Sequence, residues 1–282
     1  MKLVSFSKHG VTGFGALLDE GIIDLTNKLE ENVNSLKGAI GAELLKKADE
    51  YVAGRTADFA LSDVTLLPVI PDPAKIICVG VNYENHRAEM KRPEVEYPTI
   101  FTRFADSQIA HRQALIKPTI SDRFDFEGEM AVIMENTGRN IPEKSAMNHV
   151  AGYACYVDGT VRDWQRHTSQ FTPGKTFPSS GAFGPYMVTS DEVGDYTQLP
   201  IQTRLNGKVM QNATLADLIF HVPRLINYIS QFTPLSAGDV IVTGTPGGVG
   251  DKREPPVYLM PGDTLEVEIG VLGTLVNPVE DE

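Results

Sequence analysis

Asp125-Phe126-Glu127-Gly128-Glu129 sets three carboxylates at alternate positions, leading into the apolar run Met130-Ala131-Val132-Ile133-Met134, which reads as a β-strand. Successive strand side chains point to opposite faces, so Asp125, Glu127 and Glu129 share one side. Three negative charges on one face repel, and each raises its neighbours' pKa unless something positive intervenes. A chain with this segment must fold so that the acidic face meets water, a facing Lys or Arg, or a divalent cation. A solvated edge strand is the commonest outcome of such a run. The oxygen donors equally suit a hard ion such as Mg²⁺ or Ca²⁺. Other segments have to decide between these.

The charge balance narrows the partners. With 37 acidic residues against 25 Lys or Arg and a net charge of −12, the chain lacks the basic face that nucleic acid or anionic membrane requires. Met1 to Phe6 run into His9-Gly10 without the apolar core of a secretory signal, and no apolar run approaches a membrane span. Cys78 and Cys155 both lie in apolar, strand-like segments, so buried thiols in a reducing, cytoplasmic setting are expected. A length of 282 residues, 41% of them hydrophobic, suffices for one large or two modest domains.

Residues 1–70 read as a small α+β domain. Lys2 to Ser7, Thr12 to Leu18 and Gly21 to Leu25 are short strands with glycine-rich turns, and Glu31 to Val52 has helical spacing weakened by Gly38 and Gly41. Leu66-Leu67-Pro68-Val69-Ile70-Pro71-Asp72-Pro73 is a stiff connector. Beyond it, residues 71–282 alternate short strands (Lys75 to Gly80, Phe124 to Met134, Asn148 to Asp158, Asp239 to Thr243, Thr264 to Ile269) with Gly and Pro turns. Glu84 to Lys91 is helix-compatible, and Thr214 to Gln231 is the clearest amphipathic helix, kinked or interrupted at Pro223. The mixture predicts an α+β fold with mixed sheet, not a doubly wound one.

Four further segments carry chemistry. On a helix, His86 and Glu89 stand at i and i+3, where a carboxylate can orient an imidazole as a general base; an incidental surface pair has the same spacing. Asp158 ends a strand before Gly159, either as a turn cap or as a third metal ligand, and Gln165 follows seven residues on. Arg162 and Asp163 read as groups that hold this turn together. Lys175 is a lysine fixed between proline-stiffened loops, or simply a surface lysine. Thr243-Gly244-Thr245-Pro246-Gly247-Gly248-Val249-Gly250 follows a strand and offers backbone N–H groups, but matches neither a P-loop nor a dinucleotide fingerprint.

Taken in order, Cys78-Val79-Gly80-Val81-Asn82-Tyr83, Glu127-Gly128-Glu129, Arg162-Asp163-Trp164-Gln165, Lys175 and Thr243-Gly244-Thr245-Pro246 resemble the fumarylacetoacetate hydrolase family. The similarity runs from about residue 72 to the C-terminus and includes Gly184-Pro185, Asn206-Gly207-Lys208 and Leu259 to Asp263. It implies a layered mixed β-sheet roll, usually homodimeric, with a divalent metal at its open mouth. Glu127, Glu129 and Asp158 are then the ligands of Mg²⁺ or Mn²⁺, with Ca²⁺ also accommodated, and Asp125 orients a ligand or bound water. His86 and Glu89 become the water-activating dyad of a lid helix. Lys175 and Gln165 position substrate or water and stabilise an oxyanion; Thr245 contacts substrate; Tyr83 and Arg162 line the pocket.

The implied activity is hydrolysis of the C–C bond of a 2,4-dioxo acid, an acylpyruvate such as fumarylpyruvate or maleylpyruvate, to pyruvate and a carboxylic acid. The alternative on the same metal site is decarboxylation of an oxaloacetate-type acid, or tautomerisation or isomerisation of an oxo acid. Arg103 stands where many relatives show Lys, and Thr176-Phe177-Pro178 lacks an acidic residue often found there. Arg166, His167 and Gln170 near the mouth suggest a dicarboxylic substrate from aromatic catabolism. Residues 1–70 carry no chemical motif and are expected to support packing or the dimer.

Overall fold

The computed structural model describes residues 1–282. Its spine is an eleven-stranded mixed sheet. Nine of its strands run Gly21–Asp24, Val11–Leu18, Lys2–Lys8, Gly181–Thr189, Val150–Val157, Gly128–Met134, Val240–Val242, Ile76–Gly80 and Thr99–Arg103 from edge to edge. A second sheet of five strands (Lys208–Thr214, Pro200–Leu205, Thr264–Ile269, Thr274–Asp281, Leu115–Lys117) covers one face of it.

The central strand shows how the layers form. Gly128–Met134 is buried along its whole length. Met130, Val132 and Met134 enter one core with Ile201, Val267 and Leu275 of the second sheet. Ala131 and Ile133 enter another, with Leu36, Ala39 and Ile40 of the N-terminal helical region. Both faces are therefore covered, and the strand reads as a continuous apolar run because it has no solvent side.

Residues 1–70 extend the main sheet. Lys2–Lys8 pairs antiparallel with Gly181–Thr189, and Leu3, Phe14 and Ile23 share their core with Ala131, Ala154 and Val240. The proline-rich connector is pinned as it passes: Val69 and Ile70 are buried, and Ser5 Oγ donates to the Val69 carbonyl at 2.8 Å.

Three expected elements come out differently. Glu31 to Val52 is two helices, Leu36–Gly41 and Leu45–Val52, separated where Glu43 takes a φ of 57°. Thr214 to Gln231 is not one helix. A 3₁₀ turn at Leu215–Asp217, closed by the Thr214–Asp217 capping box, precedes a helix at Val222–Phe232. Pro223 starts that helix rather than kinking it, because a first-turn proline gives up an N–H that has no helical partner anyway. Leu215 and Leu218 are buried all the same, so the apolar pattern marked burial correctly and periodicity wrongly. Finally, the acidic segment is two strands, Phe124–Asp125 and Gly128–Met134. Asp125 lies opposite Thr160 in a separate two-stranded ladder, while Gly128 lies opposite Val157 in the main sheet. The chain changes ladders at Phe126-Glu127. No helix is long and apolar enough to cross a membrane.

Candidate active site

Glu127, Glu129 and Asp158 meet where two central strands end together. Gly128–Met134 runs antiparallel to Val150–Val157, and the Asp158 N–H donates to the Glu127 carbonyl at 2.9 Å. Asp158 is thereby set beside Glu127, and Glu129 follows on the same face. One oxygen from each of the three lies within 4.8 Å of the others, and all three are buried.

Two glycines beside the triad let neighbouring segments pack closely against it. A Cβ on Gly128 would sit 2.1 Å from Thr203 Oγ1, and one on Gly159 would sit 1.9 Å from the Ser180 carbonyl oxygen. Backbone cannot swing aside as a side chain can. Gly159→Ala is accordingly expected to cost at least about 1–3 kcal/mol, read as a lowered denaturant midpoint, and to displace Asp158 from the triad.

The charges around the triad are nearly matched. Lys175 Nζ donates to Glu127 Oε2 and to Asp158 Oδ2, each at 2.6 Å. Arg103 Nη1 donates to Asp158 Oδ1 at 2.5 Å and to the Gly159 carbonyl at 2.9 Å. Arg162 Nε donates to Asp125 Oδ2 at 2.7 Å, and its Nη2 lies 2.7 Å from Glu127 Oε1, off the line of a good hydrogen bond. Asp125 also accepts the N–H groups of Gly250 and Asp251 at 2.8 and 3.0 Å. It thus reaches the triad through Arg162. Burial pushes the Glu127 carboxyl up, but Lys175, Arg162 and His86 overcome it and hold it at about 2.

Glu129 is different. It accepts the Gly244 N–H at 2.5 Å but forms no ion pair, and Lys175, spent on Glu127 and Asp158, offsets its charge only in part. Burial, then Asp158 and Glu127, push its carboxyl well above the usual range. Four buried carboxylates (Asp125, Glu127, Glu129, Asp158) face three buried cations (Arg103, Arg162, Lys175), leaving one negative charge in surplus. A buried carboxylate without a counter-ion, in an all-oxygen donor set, fits a hard dication.

Above the triad sits the helix Glu84–Glu89. His86 is 3% exposed, with Nδ1 3.1 Å from Glu89 Oε2. Glu89 Oε1 accepts the Gly248 N–H, and Asn85 Oδ1 accepts the Gly247 N–H, both at 3.0 Å. The glycine-rich loop thus grips the helix through backbone donors and aligns the carboxylate that aligns the imidazole. The turn leading into it is strained: Val81, a β-branched residue, has a φ of 58°, which costs roughly 1–2 kcal/mol. Asn82 secures the turn by donating to the Phe220 and Thr243 carbonyls and accepting the Phe220 N–H.

A cavity of about 60 Å³ lies between helix and triad, bordered by His86, Glu127, Glu129, Gln165, Lys175 and Thr245. Gln165 Oε1 accepts from Arg162 Nη1 at 3.1 Å. Thr245 Oγ1 donates to the Gly128 carbonyl at 2.9 Å, which ties the loop to the strand that carries Glu129. Arg162 borders the cavity as well as fixing its turn. Tyr83 does not border it: its ring is fully buried in the core, and its backbone bridges to Leu218. Of the three groups expected near the mouth, only Arg166 borders the cavity, and it is engaged by both oxygens of Asp251. His167 instead packs on Trp164, and Gln170 is exposed. Residues that spacing did not reveal include Gln211, whose amide takes the Gly128 N–H and donates to Thr245 Oγ1 and the Pro246 carbonyl. Arg103 stood out only as a departure from a pattern, yet it is the direct partner of Asp158.

The model of the fumarylacetoacetate (FAA) hydrolase C-terminal domain matches residues 75–280. The bovine (Bos taurus) mitochondrial oxaloacetate tautomerase FAHD2A is 41% identical over 288 residues, spanning 99% of this chain and 91% of that protein. Among solved structures, fumarylacetoacetate hydrolase from Exiguobacterium antarcticum matches all of both chains at 33% identity with a TM-score of 0.87. Maleylpyruvate hydrolase from Sphingobium sp. SYK-6, in complex with manganese (II) ion and pyruvate, matches 100% of this chain and 99% of that one at 26% identity with a TM-score of 0.83. The chain belongs to the fumarylacetoacetate hydrolase family.

Proposed function

We propose that the chain is a divalent-metal enzyme interconverting the keto and enol forms of a 2-oxo diacid of the oxaloacetate class. The observation that carries this reading is 41% identity across 99% of the chain to a protein named as an oxaloacetate tautomerase. That likeness favours the tautomerase alternative over the acylpyruvate hydrolysis first expected. Glu127, Glu129 and Asp158 would hold the ion, Mg²⁺ or Mn²⁺. Such a dication supplies Lewis-acid polarisation of a bound 2-oxo acid.

The chain's own groups do the proton work. His86 Nδ1 is committed to Glu89, so Nε2 is the nitrogen left to take the proton from carbon 3 of the keto form and deliver it to the oxygen at carbon 2, or to carry it the other way from the enol. Lys175 Nζ has a third N–H beyond the two given to carboxylates, and the Gln165 amide nitrogen has no protein acceptor. Both can donate toward the oxygen at carbon 2 as charge gathers there; one such donor is worth about 10²–10³ in kcat. Moving one proton between carbon and oxygen needs no attacking water and no departing acid. The small cavity, with His86, Glu129 and Lys175 almost wholly buried, suits that economy.

C–C hydrolysis of acylpyruvates is the second reading, favoured by the likeness to maleylpyruvate hydrolase. Enol-oxaloacetate absorbs in the ultraviolet and its decay is easily followed. Protein with Mn²⁺ should accelerate that decay and protein with chelator should not. If the decay is unchanged while acylpyruvates yield pyruvate and a second acid, the hydrolase reading replaces this one.

A further inference from the structure

Three arginines border the cavity: the buried Arg162, and Arg92 and Arg166, both exposed at its rim. Arg162 is committed to Asp125 and Glu127, and Arg166 to Asp251. The acids near the end of the lid helix are also taken, since Arg87 pairs with Glu84 and lies 3.7 Å from Glu94. Arg92 alone has no carboxylate partner. Its backbone is nevertheless fixed: the Arg92 N–H donates to the Arg87 carbonyl at 3.0 Å, and Arg87 Nη1 donates to the Arg92 carbonyl at 3.1 Å. Arg92 also borders an adjoining chamber of about 180 Å³, reached past Gly80, Val81 and Phe171.

We propose that Arg92 is a specificity-determining residue, receiving the substrate carboxylate remote from the metal end. This rests on the reading of the site as one for 2-oxo diacids. Charge supports it. With its four carboxylates ionised the buried floor is formally one negative charge in surplus, so a bound dication would make it singly positive, and Arg92 would add a second positive charge opposite a doubly negative substrate. A 2-oxo monoacid leaves Arg92 unpaired. Arg92 also lies on the segment that carries His86. A carboxylate held between floor and guanidinium therefore draws the lid onto the substrate, coupling recognition to placement of the base.

The test is direct binding to the Mn²⁺-loaded protein, by calorimetry, of pyruvate and of 3,3-difluoro-oxaloacetate, a 2-oxo diacid with no proton at carbon 3. The parent should prefer the diacid. Arg92→Gln should weaken the diacid about 10–100-fold, the size of one charge-assisted bidentate contact, and change pyruvate by no more than about twofold. Arg92→Lys should fall between, keeping the charge but not the fork. Equal effects on the two ligands, or no effect on either, overturn the assignment. Because this ligand cannot enolise, a preference abolished in Arg92→Gln stands even if enol-oxaloacetate decay proves unaffected by the parent enzyme. Conversely, an active tautomerase with an unselective Arg92 overturns only the present inference.

Discussion

Glu129→Gln is expected to fold as well as the parent in the absence of metal, to gain no stability from Mn²⁺, and to lose turnover. Gln is nearly isosteric and can still accept the Gly244 N–H that Glu129 Oε2 accepts at 2.5 Å. What it removes is a buried negative charge with no cation partner, raised by burial and by Asp158 and Glu127. A carboxyl whose folded pKa lies above its unfolded value binds more protons folded than unfolded. Its contribution therefore turns unfavourable as pH rises above the ordinary carboxylate range. The metal-free parent should lose stability over that rise, and Glu129→Gln should lose less. Saturating metal reverses the order: at about 100 times Kd an ion bound only by the folded state adds about 2.7 kcal/mol. For a chain of this size that is on the order of 5–10 °C in Tm. Melting both proteins with and without Mn²⁺ reads all of this. An equal upward shift in the variant would remove Glu129 from the ion's coordination.

How much of this was legible depended on how local each signal is. Alternation along a strand put Glu127 and Glu129 on one side, and they do share it, because the register across Gly128–Val157 continues through Glu127 to Asp158. Asp125 broke the pattern through a change of ladder, which depends on which strand lies opposite and leaves no mark in a period of two. Asp158 read equally well as a turn cap; only its place in an ordered set of motifs raised it. Two buried supports of the site were the least visible. Arg103 ends a strand on the far side of Ile76–Gly80, and Gln211 comes from the second sheet. Arg103 reaches the site through strand order within the main sheet and Gln211 through closure of the second sheet on it, and nothing near them in sequence marks a buried cation or a buried amide. The Thr214 to Gln231 segment erred the other way, since burial of Leu215 and Leu218 mimicked a helical face that the backbone does not form.

His86→Ala should lower kcat for enol–keto exchange by about 10²–10⁴, the usual contribution of a positioned acid–base group, while leaving the Mn²⁺-dependent rise in Tm in place. The separation follows from where the ring sits. His86 borders the cavity but makes its one side-chain bond to Glu89, not to any of the three carboxylates proposed to hold the ion. Removing it leaves the Lys175 and Arg103 contacts of the floor untouched. Glu89→Gln is the companion measurement. Glu89 accepts from Gly248 N–H through Oε1 and meets His86 Nδ1 through Oε2. An amide has one accepting oxygen, so Gln can serve the loop or the imidazole's N–H but not both, and its NH₂ faces whichever donor remains. The loss in kcat should be smaller than in His86→Ala, because the imidazole stays in the cavity and loses only the carboxylate that orients it. A purely structural dyad would behave otherwise: both variants would melt lower, and the activity of the surviving folded fraction would match the parent.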